Sequence, residues 1–370
     1  MTDTRPSAIV IGAGIVGAAC AAALAERGVR VTVIEREYPA CGTTAAGMGH
    51  LVAMDDSPAQ LSLTARSLAL WRSLAPDLPN TVELRSTGTL WIGEDDGQMA
   101  ALRAKQATYR KAGIESEILD ARQTREAEPR LREGIAGSLR VAGDSVLYPP
   151  TAALALLERA ASHGARVMHA TVDAIEAHAV RIGTHRLKAD FIVKATGADG
   201  SLPPHLPIVP RKGHLAITDR QPGFCRHQVV ETGYLASAHV MSAESVAFNV
   251  QPRATGQVLI GSSRELVGRD ASLNRAVLAR MLARAVAFMP ALAGVSIVRT
   301  WIGFRPATED KLPLIGWWPD VPGLLVAAGH EGLGITTATG TAEIIAALVT
   351  GGASDIDPAP FTPTRVMATA

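Results

Sequence analysis

Residues 8–35 place the strongest constraint on the fold of this chain. An apolar run is followed by a glycine-rich turn, an alanine-rich stretch and a second apolar run, which is the order of a β-α-β unit. The turn carries Gly12, Gly14 and Gly17 in the G-x-G-x-x-G spacing. In that pattern the first glycine allows a tight turn, the second lets the backbone approach a pyrophosphate, and the third lets the helix pack closely on the strand. The pattern therefore predicts a dinucleotide site.

The acidic residue at the end of the second strand supports this interpretation. Glu35 is placed to accept hydrogen bonds from a ribose diol, and the start of the helix offers free N–H groups and a favourable dipole to phosphates. The alternative is an ordinary glycine turn without a ligand in an α/β protein. The residues of this unit that we expect to contact the cofactor are Gly12, Gly14, Ile15, Val16, Gly17, Glu35 and Arg36.

Composition argues against several other classes of protein. Hydrophobic residues make up 47% and charged residues 19% of the chain, which is typical of a globular protein. The net charge is +1, so nothing favours a nucleic-acid partner. Cys20, Cys41 and Cys225 form no C-x-x-C pair, which argues against a metal site and fits a reducing compartment. We therefore expect a cytoplasmic protein with no bound metal and no membrane span.

Two kinds of segment, which differ in their pattern of strands and helices, alternate along the chain. This alternation predicts two domains, each built from separated segments. Residues 1–82, 147–206 and 300–370 join apolar runs to alanine-rich helices, and we assign them to a Rossmann-like α/β domain that binds the dinucleotide. Residues 83–146 and 207–299 contain short strand-like runs and charged helices. We assign these two segments to a mixed-sheet α+β domain that covers a substrate. Residues 187–194 are expected to form a single strand.

Three further segments supply small residues next to predicted strand ends. The turn at residues 41–49 is small and polar, and its threonine hydroxyls are candidates to reach the pyrophosphate or an aromatic ring system of the cofactor. The two other segments are Val172 and residues 195–197, which lie at the ends of predicted strands, where a dinucleotide passes. A plain surface turn is the alternative for each. The candidates are Thr43, Thr44, Gly47, Met48, Val172, Ala195, Thr196 and Gly197.

Residues 329–336 again join a strand to a helix through glycines. A second helix N-terminus directed at the cofactor suits a flavin, because reduction places negative charge near N1 and the C2 carbonyl. The alternative is a tight strand–helix connection without a ligand. The candidates are Gly329, His330, Gly332, Leu333, Gly334, Ile335 and Thr336.

Arg305 lies in a glycine- and proline-flanked segment, residues 303–310. A guanidinium binds a carboxylate through two parallel hydrogen bonds, so Arg305 is a candidate substrate anchor. A structural ion pair with Glu309 or Asp310 explains the same residue equally well.

Together these segments resemble the D-amino acid oxidase superfamily, in its glycine oxidase and sarcosine oxidase branch. The likeness includes Gly12-x-Gly14-x-x-Gly17 with Glu35, the turn around Thr43 and Thr44, and the segments at residues 195–197, 303–306 and 329–332. It implies FAD as the cofactor, a cover domain on a mixed sheet, and Arg305 as the holder of the substrate carboxylate. Covalent relatives carry a cysteine near the C-terminal motif, but none follows Cys225 here, so we expect non-covalent FAD.

The resemblance also sets the expected reaction, which is hydride transfer from the substrate Cα to flavin N5. Within the superfamily the chain looks most like bacterial D-hydroxyproline dehydrogenase subunits, so D-proline and cis-4-hydroxy-D-proline are the expected substrates. His50, Tyr234 and His330 are candidates to contact the amine or a ring hydroxyl, although each is as readily explained as structural. The alternatives are glycine or sarcosine oxidation, 2-hydroxy acid oxidation, an NAD-dependent dehydrogenase, and a flavin-carrying scaffold subunit. Electron-accepting partner subunits and a homo-oligomer are both compatible with the sequence.

Overall fold

The computed structural model describes residues 4–233 and 244–367 of the chain. The predicted β-α-β unit is present at the start. The α2 helix follows it and begins after Ser57, whose hydroxyl accepts a hydrogen bond from the Gln60 N–H at 3.1 Å. The elements of this first stretch are β1 (Ser7–Ile11), α1 (Ile15–Glu26), β2 (Arg30–Glu35), β3 (His50–Leu51), α2 (Pro58–Leu74) and the 3-10 turns Ala75–Asp77 and Asn80–Val82.

The next stretch contains the one strand prediction that was wrong. Residues 187–194 form parts of two strands, which Ala189 and Asp190 separate. The Asp190 carboxylate accepts hydrogen bonds from the N–H and hydroxyl of Ser7 at 2.8 and 2.7 Å, and this holds the chain where it passes from one sheet to another. The elements are β4 (Thr89–Gly93), α3 (Asp96–Lys111), β5 (Glu117–Asp120), α4 (Ala121–Ala127), β6 (Gly137–Val141), β7 (Ser145–Val146), α5 (Pro149–Ser162), β8 (Arg166–His169), β9 (Ala174–Glu176), β10 (Ala179–Ile182), β11 (His185–Lys188) and β12 (Phe191–Lys194).

The remaining stretch is rich in long strands and ends in an apolar helix. Arg305 lies on one of these strands, β17, which the sequence patterns did not predict. The elements are β13 (Val209–Arg220), β14 (Gln228–Glu231), β15 (Glu244–Pro252), β16 (Gln257–Glu265), α6 (Arg275–Phe288), the 3-10 turn Pro290–Gly294, β17 (Ile297–Ala307), β18 (Leu314–Trp317), β19 (Leu324–Ala328), the 3-10 turn Glu331–Leu333, α7 (Gly334–Thr350), the 3-10 turn Ala359–Phe361 and α8 (Thr364–Met367).

The first sheet is the expected Rossmann-like layer. Among the described residues its order is β18-β19-β12-β1-β2-β8, with every pair parallel except β18 and β19. Side chains alternate between its faces. Ala8 and Val10 of β1 pack in the core formed with α1, α5 and α7, whereas Ile9 and Ile11 pack in the core next to the small β9–β11 sheet. This layer confirms the predicted α/β class.

The second sheet is mixed, as predicted. Among the described residues its order is β17-β13-β16-β15-β14-β4-β6-β5, and β14 with β4 is its parallel pair. Met281, Ala285 and Phe288 of α6 are buried in the core on one face of this sheet. Strand β17 stays paired with β13 as far as Ala307, so it crosses the boundary that we expected at residue 300. The division into a cofactor domain and a substrate domain remains a prediction.

The apolar helical segment at residues 331–350 is the one described segment long and apolar enough to cross a membrane. However, 72% of its most apolar window is buried inside the protein, and α7 packs against α1 and α2. The composition of this segment is therefore explained by its place in the core.

A buried carboxylate pins the chain that leads away from β3. Asp144 is 1% exposed, and its Oδ1 accepts a hydrogen bond from the Ala53 N–H at 3.2 Å. Burial raises the pKa of Asp144 to about 7, because the charged form loses its hydration. The native state therefore holds this proton more tightly than the unfolded chain does.

This raised pKa predicts a pH-dependent loss of stability. Between about pH 4 and about pH 7 the native state binds more protons at Asp144 than the unfolded state, so its contribution to the free energy of unfolding falls by about 1.4 kcal/mol per pH unit as pH rises. We expect Asp144→Asn to lose this slope in chemical denaturation from pH 4.5 to 8. Asp96→Asn, at an exposed position, serves as the control. Parallel stability curves for wild type and Asp144→Asn would contradict the assignment.

Candidate active site

Three adjoining cavities lie between the two sheets and the helices that start beside them. The first has a volume of about 710 Å³ and runs past the carboxyl ends of β1 and β2. The second, of about 130 Å³, is lined by the starts of α1 and α7 and by β17. The third, of about 50 Å³, shares His50, Asn249 and Glu331 with the second. The carboxyl edge of a parallel sheet is where α/β proteins bind their ligands.

The glycine turn is compact enough to exclude side chains. Gly12 has φ +104°, and a Cβ on it would lie 2.6 Å from the Ala195 carbonyl oxygen. A Cβ on Gly17 would overlap the carbonyl oxygen of Gly12. The turn therefore lets β1, β12 and the start of α1 come together, and it leaves backbone rather than side chains facing the first cavity.

Glu35 is held firmly at the wall of the first cavity. Its Oε2 accepts a hydrogen bond from the Ala13 N–H at 2.8 Å, and its Oε1 accepts one from the Glu37 N–H at 3.0 Å. The carboxylate therefore has a defined position next to the glycine turn. The predicted cofactor residues that line this cavity are Gly12, Gly14, Glu35, Arg36, Thr43, Thr44, Val172, Ala195, Thr196 and Gly197.

Two helix N-termini point at the second cavity. The α1 helix begins after Gly14, and its Ile15 N–H donates to the Thr44 hydroxyl at 3.0 Å. The α7 helix begins at Gly334, and Gly334 and Ile335 line this cavity. The positive end of α7 therefore also faces this space. Both ends favour an anionic group there. The predicted residues that line this cavity are Gly14, Ile15, Val16, Thr43, Thr44, Gly47, Met48, His50, Ala195, Gly197, Arg305, His330, Gly332, Gly334 and Ile335.

Four of the predicted cofactor residues lie elsewhere. Gly17 and Gly329 shape their turns and line none of these three cavities, and Leu333 lines only the third of them. The Thr336 hydroxyl donates to the His50 carbonyl oxygen at 3.1 Å and accepts from the Val52 N–H at 3.3 Å. Thr336 thus joins α7 to β3 and is buried away from the cavities.

Arg305 lies in the wall of the second cavity. Its Nη1 donates to the Ser263 carbonyl oxygen at 2.9 Å. A Cβ on Gly213 would lie only 2.9 Å from the guanidinium carbon, so the missing side chain there makes room for Arg305. The alternative partner Asp310 binds Arg365, whose Nε and Nη2 lie 2.6 and 3.1 Å from its two carboxylate oxygens.

The two candidate histidines are both uncharged at neutral pH. The pKa of His50 is lowered to about 4, mainly by burial and also by nearby Arg305, while a hydrogen bond with the Gly332 backbone partly opposes this shift. The Nδ1 atom of His50 has no hydrogen-bond partner among the described residues. Burial lowers the pKa of His330 to about 3, and its Nε2 lies 2.9 Å from the Thr341 hydroxyl within α7. Tyr234, the third candidate, lies outside the described residues.

Several residues of the site were not predicted from the sequence. Glu331 lies with its Oε1 3.3 Å from Arg211 Nη1 and 3.6 Å from Arg264 Nε. Burial acts to raise the pKa of Glu331, but Arg264, Arg305 and Arg211 outweigh it and lower that pKa below its ordinary value. No local sequence signal links these positions, because strand pairing brings them together. The other such residues are Leu215, Asn249 and Ser262 in the second cavity and Gln228 in the third.

Comparison with known proteins identifies the family of this chain. The family model described as DAO, FAD dependent oxidoreductase, matches residues 7–348. The glycine turn, the held Glu35 carboxylate and two helix N-termini around adjoining cavities fit a dinucleotide that carries a flavin.

Individual relatives match over nearly the whole chain. Glycine oxidase of Geobacillus kaustophilus is 28% identical over 98% of this chain and 97% of its own length. Hydrogen cyanide synthase subunit HcnC of Pseudomonas aeruginosa is 26% identical over 96% and 95%. The crystal structure of the Geobacillus glycine oxidase superposes with a TM-score of 0.87 at 28% identity, covering 98% of this chain and 99% of that one. L-proline dehydrogenase from P. horikoshii shares the fold, with a TM-score of 0.88 at 24% identity and 99% and 98% coverage.

These matches confirm the fold class, the cofactor and the resemblance drawn from the sequence. The chain belongs to the DAO family and is an FAD-dependent oxidoreductase of its glycine oxidase and sarcosine oxidase branch.

Proposed function

We propose that this enzyme oxidises a cyclic amino acid with a secondary amine, D-proline or cis-4-hydroxy-D-proline, to the corresponding pyrroline carboxylate. Bound FAD supplies the acceptor for the two electrons and the hydrogen that leave the substrate Cα. The observation that carries the proposal is the third cavity. It adjoins the cavity that Arg305 lines, adds about 50 Å³, and is lined by both polar and apolar side chains. Glycine needs no such space, whereas a ring with a hydroxyl group fills it.

The cofactor assignment follows from the two larger cavities. We propose that Glu35 holds the ribose of FAD, that the glycine turn and the start of α1 hold the pyrophosphate, and that the ring lies in the second cavity near the start of α7. No cysteine lines the second cavity, which supports non-covalent binding. The sheet that carries β1 and β2 then belongs to an FAD-binding domain, and the sheet that carries β17 belongs to a substrate domain.

In this proposal Arg305 binds the substrate carboxylate, and His50 contacts the substrate amine or ring hydroxyl. The Arg305 guanidinium binds the carboxylate through two charge-assisted hydrogen bonds. Its positive charge also disfavours a second cation nearby, so the substrate amine binds in the neutral form that oxidation requires. His50 is uncharged and lines both the second and the third cavity, so in this proposal its ring accepts a hydrogen bond from the amine or the ring hydroxyl. Positioning by these groups contributes more than proton transfer.

Glycine oxidation is the second candidate, because relatives named glycine oxidase are 27% and 28% identical across the chain. A relative named as a subunit, HcnC, supports a different detail, namely that electrons pass from the flavin to a partner protein. We also propose a cytoplasmic setting for this protein, because its three cysteines are few and fit a reducing compartment.

The substrate is tested by anaerobic reduction of the bound flavin. We expect D-proline and cis-4-hydroxy-D-proline to bleach the visible absorbance at least tenfold faster than glycine, sarcosine or D-alanine. Faster bleaching by glycine or sarcosine would replace the cyclic substrate with the glycine oxidase alternative. Bleaching by no amine or hydroxy acid would favour a scaffold subunit. Admitting air afterwards distinguishes an oxidase, which reoxidises within seconds, from an enzyme that needs a partner.

Arg305 is tested by removing its charge. Arg305→Met retains most of the volume, so FAD stays bound, but the substrate carboxylate loses two charge-assisted hydrogen bonds. At about 1.5–3 kcal/mol for each of the two bonds, KM for the cyclic substrate should rise by a factor of at least about 100. Steady-state kinetics measure this rise, with Arg103→Met, at an exposed position of α3, as the control. An unchanged KM in Arg305→Met would remove the anchor from the proposal.

Glu35 is tested by FAD retention instead of activity. Glu35→Gln keeps the shape but weakens hydrogen bonds that a ribose diol donates to a carboxylate, so FAD affinity should fall about 10- to 100-fold. Fluorescence of released flavin on dilution measures this affinity. Glu158→Gln changes an exposed glutamate on α5 and provides the control. Equal affinity in Glu35→Gln and wild type would show that Glu35 does not hold the ribose.

A further inference from the structure

Glu331 lies between two guanidiniums of the substrate sheet. Arg211 and Arg264 are 4% and 3% exposed and line the third cavity. The Glu331 Oε1 atom lies 3.3 Å from Arg211 Nη1 and 3.6 Å from Arg264 Nε. Arg305 lines the adjoining second cavity next to Gly332, where a Cβ would lie 3.7 Å from Arg305 Nε. The site therefore contains three guanidiniums, and a carboxylate of the protein itself lies against two of them.

The backbone at Glu331 supports a specific role for this carboxylate. Its φ is +47°, in the left-handed region that favours glycine. Glycines stand on either side of the His330–Glu331 pair, so the turn already tolerates residues without side chains. A charged side chain at a strained position persists when its contacts compensate, and the contacts of Glu331 are with the arginines and with the backbone N–H of Gly332.

We propose that Glu331 is a built-in counter-anion that restricts the enzyme to substrates with a single carboxylate. Its own carboxylate takes the place at Arg211 and Arg264 where the second carboxylate of a dicarboxylic amino acid would bind. This inference rests on the proposed function in one respect, since it takes Arg305 as the anchor of the first carboxylate.

The physical basis is repulsion between like charges. A second substrate carboxylate in the third cavity meets Glu331 at short range and at low dielectric, where the repulsion costs most. An uncharged ring or a hydroxyl group meets no such cost. Specificity of this kind comes from an unfavourable contact with the wrong ligand rather than from an added contact with the right one.

The test is binding of carboxylates to the oxidised holoenzyme, followed by the visible spectrum of the flavin. Malonate and succinate are the dicarboxylate probes, and acetate is the monocarboxylate probe. Glu331→Gln removes the charge and keeps the shape, whereas Glu331→Gly also suits the left-handed backbone. If the glutamine variant fails to fold or to retain FAD, the glycine variant still gives the answer.

We expect both variants to bind a dicarboxylate at least tenfold more tightly than wild type, with acetate binding changed less than threefold. Glu309→Gln, at an exposed glutamate of the same region, should resemble wild type. Adding Arg211→Met to Glu331→Gln should abolish the gain. Dicarboxylate affinity that does not increase in either Glu331 variant, or an equal gain for acetate, would overturn the proposal.

Failure of the anchor is distinguished by Arg305→Met in the same assay. If that variant binds acetate as well as wild type does, Arg305 is not the anchor and the proposed function loses its basis. If acetate binding depends on Arg305 but neither Glu331 variant gains dicarboxylate affinity, only the selectivity role of Glu331 is wrong.

Discussion

The pairing of β17 with β13 is the interaction on which the site depends. In this register Arg305 faces Arg211 and Gly303 faces Gly213, so each arginine has a glycine pair beside it. Gly213 leaves space for the Arg305 guanidinium. Gly303 leaves space for the turn at residues 41–49, because a Cβ there would lie 2.6 Å from that of Ala46. A slip of one residue in this pairing would turn Arg305 to the other face of the sheet.

The same strand ties the substrate sheet to the cofactor side. The Thr43 hydroxyl donates to the Phe304 carbonyl oxygen at 3.0 Å, and Trp301 Nε1 donates to the Ala46 carbonyl oxygen at 3.4 Å. These bonds join β17 to the turn that lines the first and second cavities. The distance between Arg305 and the start of α1 is therefore set in part by two side chains that donate to backbone carbonyl groups across this boundary.

How far the sequence predicts this structure depends on the range of each interaction. The β-α-β unit and the turn before α7 were predicted correctly because each sequence pattern lies within one short continuous segment, residues 8–35 and 329–336. The third cavity was not, because Arg211, Arg264 and Asn249 come from three strands whose pairing has no local signature. Arg305 falls between these cases. Its segment is distinctive, but only the resemblance to a family favoured a carboxylate over a structural ion pair.

The cofactor side and the substrate side of the site differ in the kind of charge that they use. The cofactor side uses helix N-termini and backbone N–H groups, whose partial charges suit a pyrophosphate and a reduced flavin without a buried counter-ion. The substrate side uses full charges, and there the protein must balance its own guanidiniums. Glu331 offsets part of that charge within the site, while neutral His50 and His330 add no further positive charge. The proposed function requires this site to bind one carboxylate together with a neutral amine, which is the state from which a C–H bond next to nitrogen is oxidised.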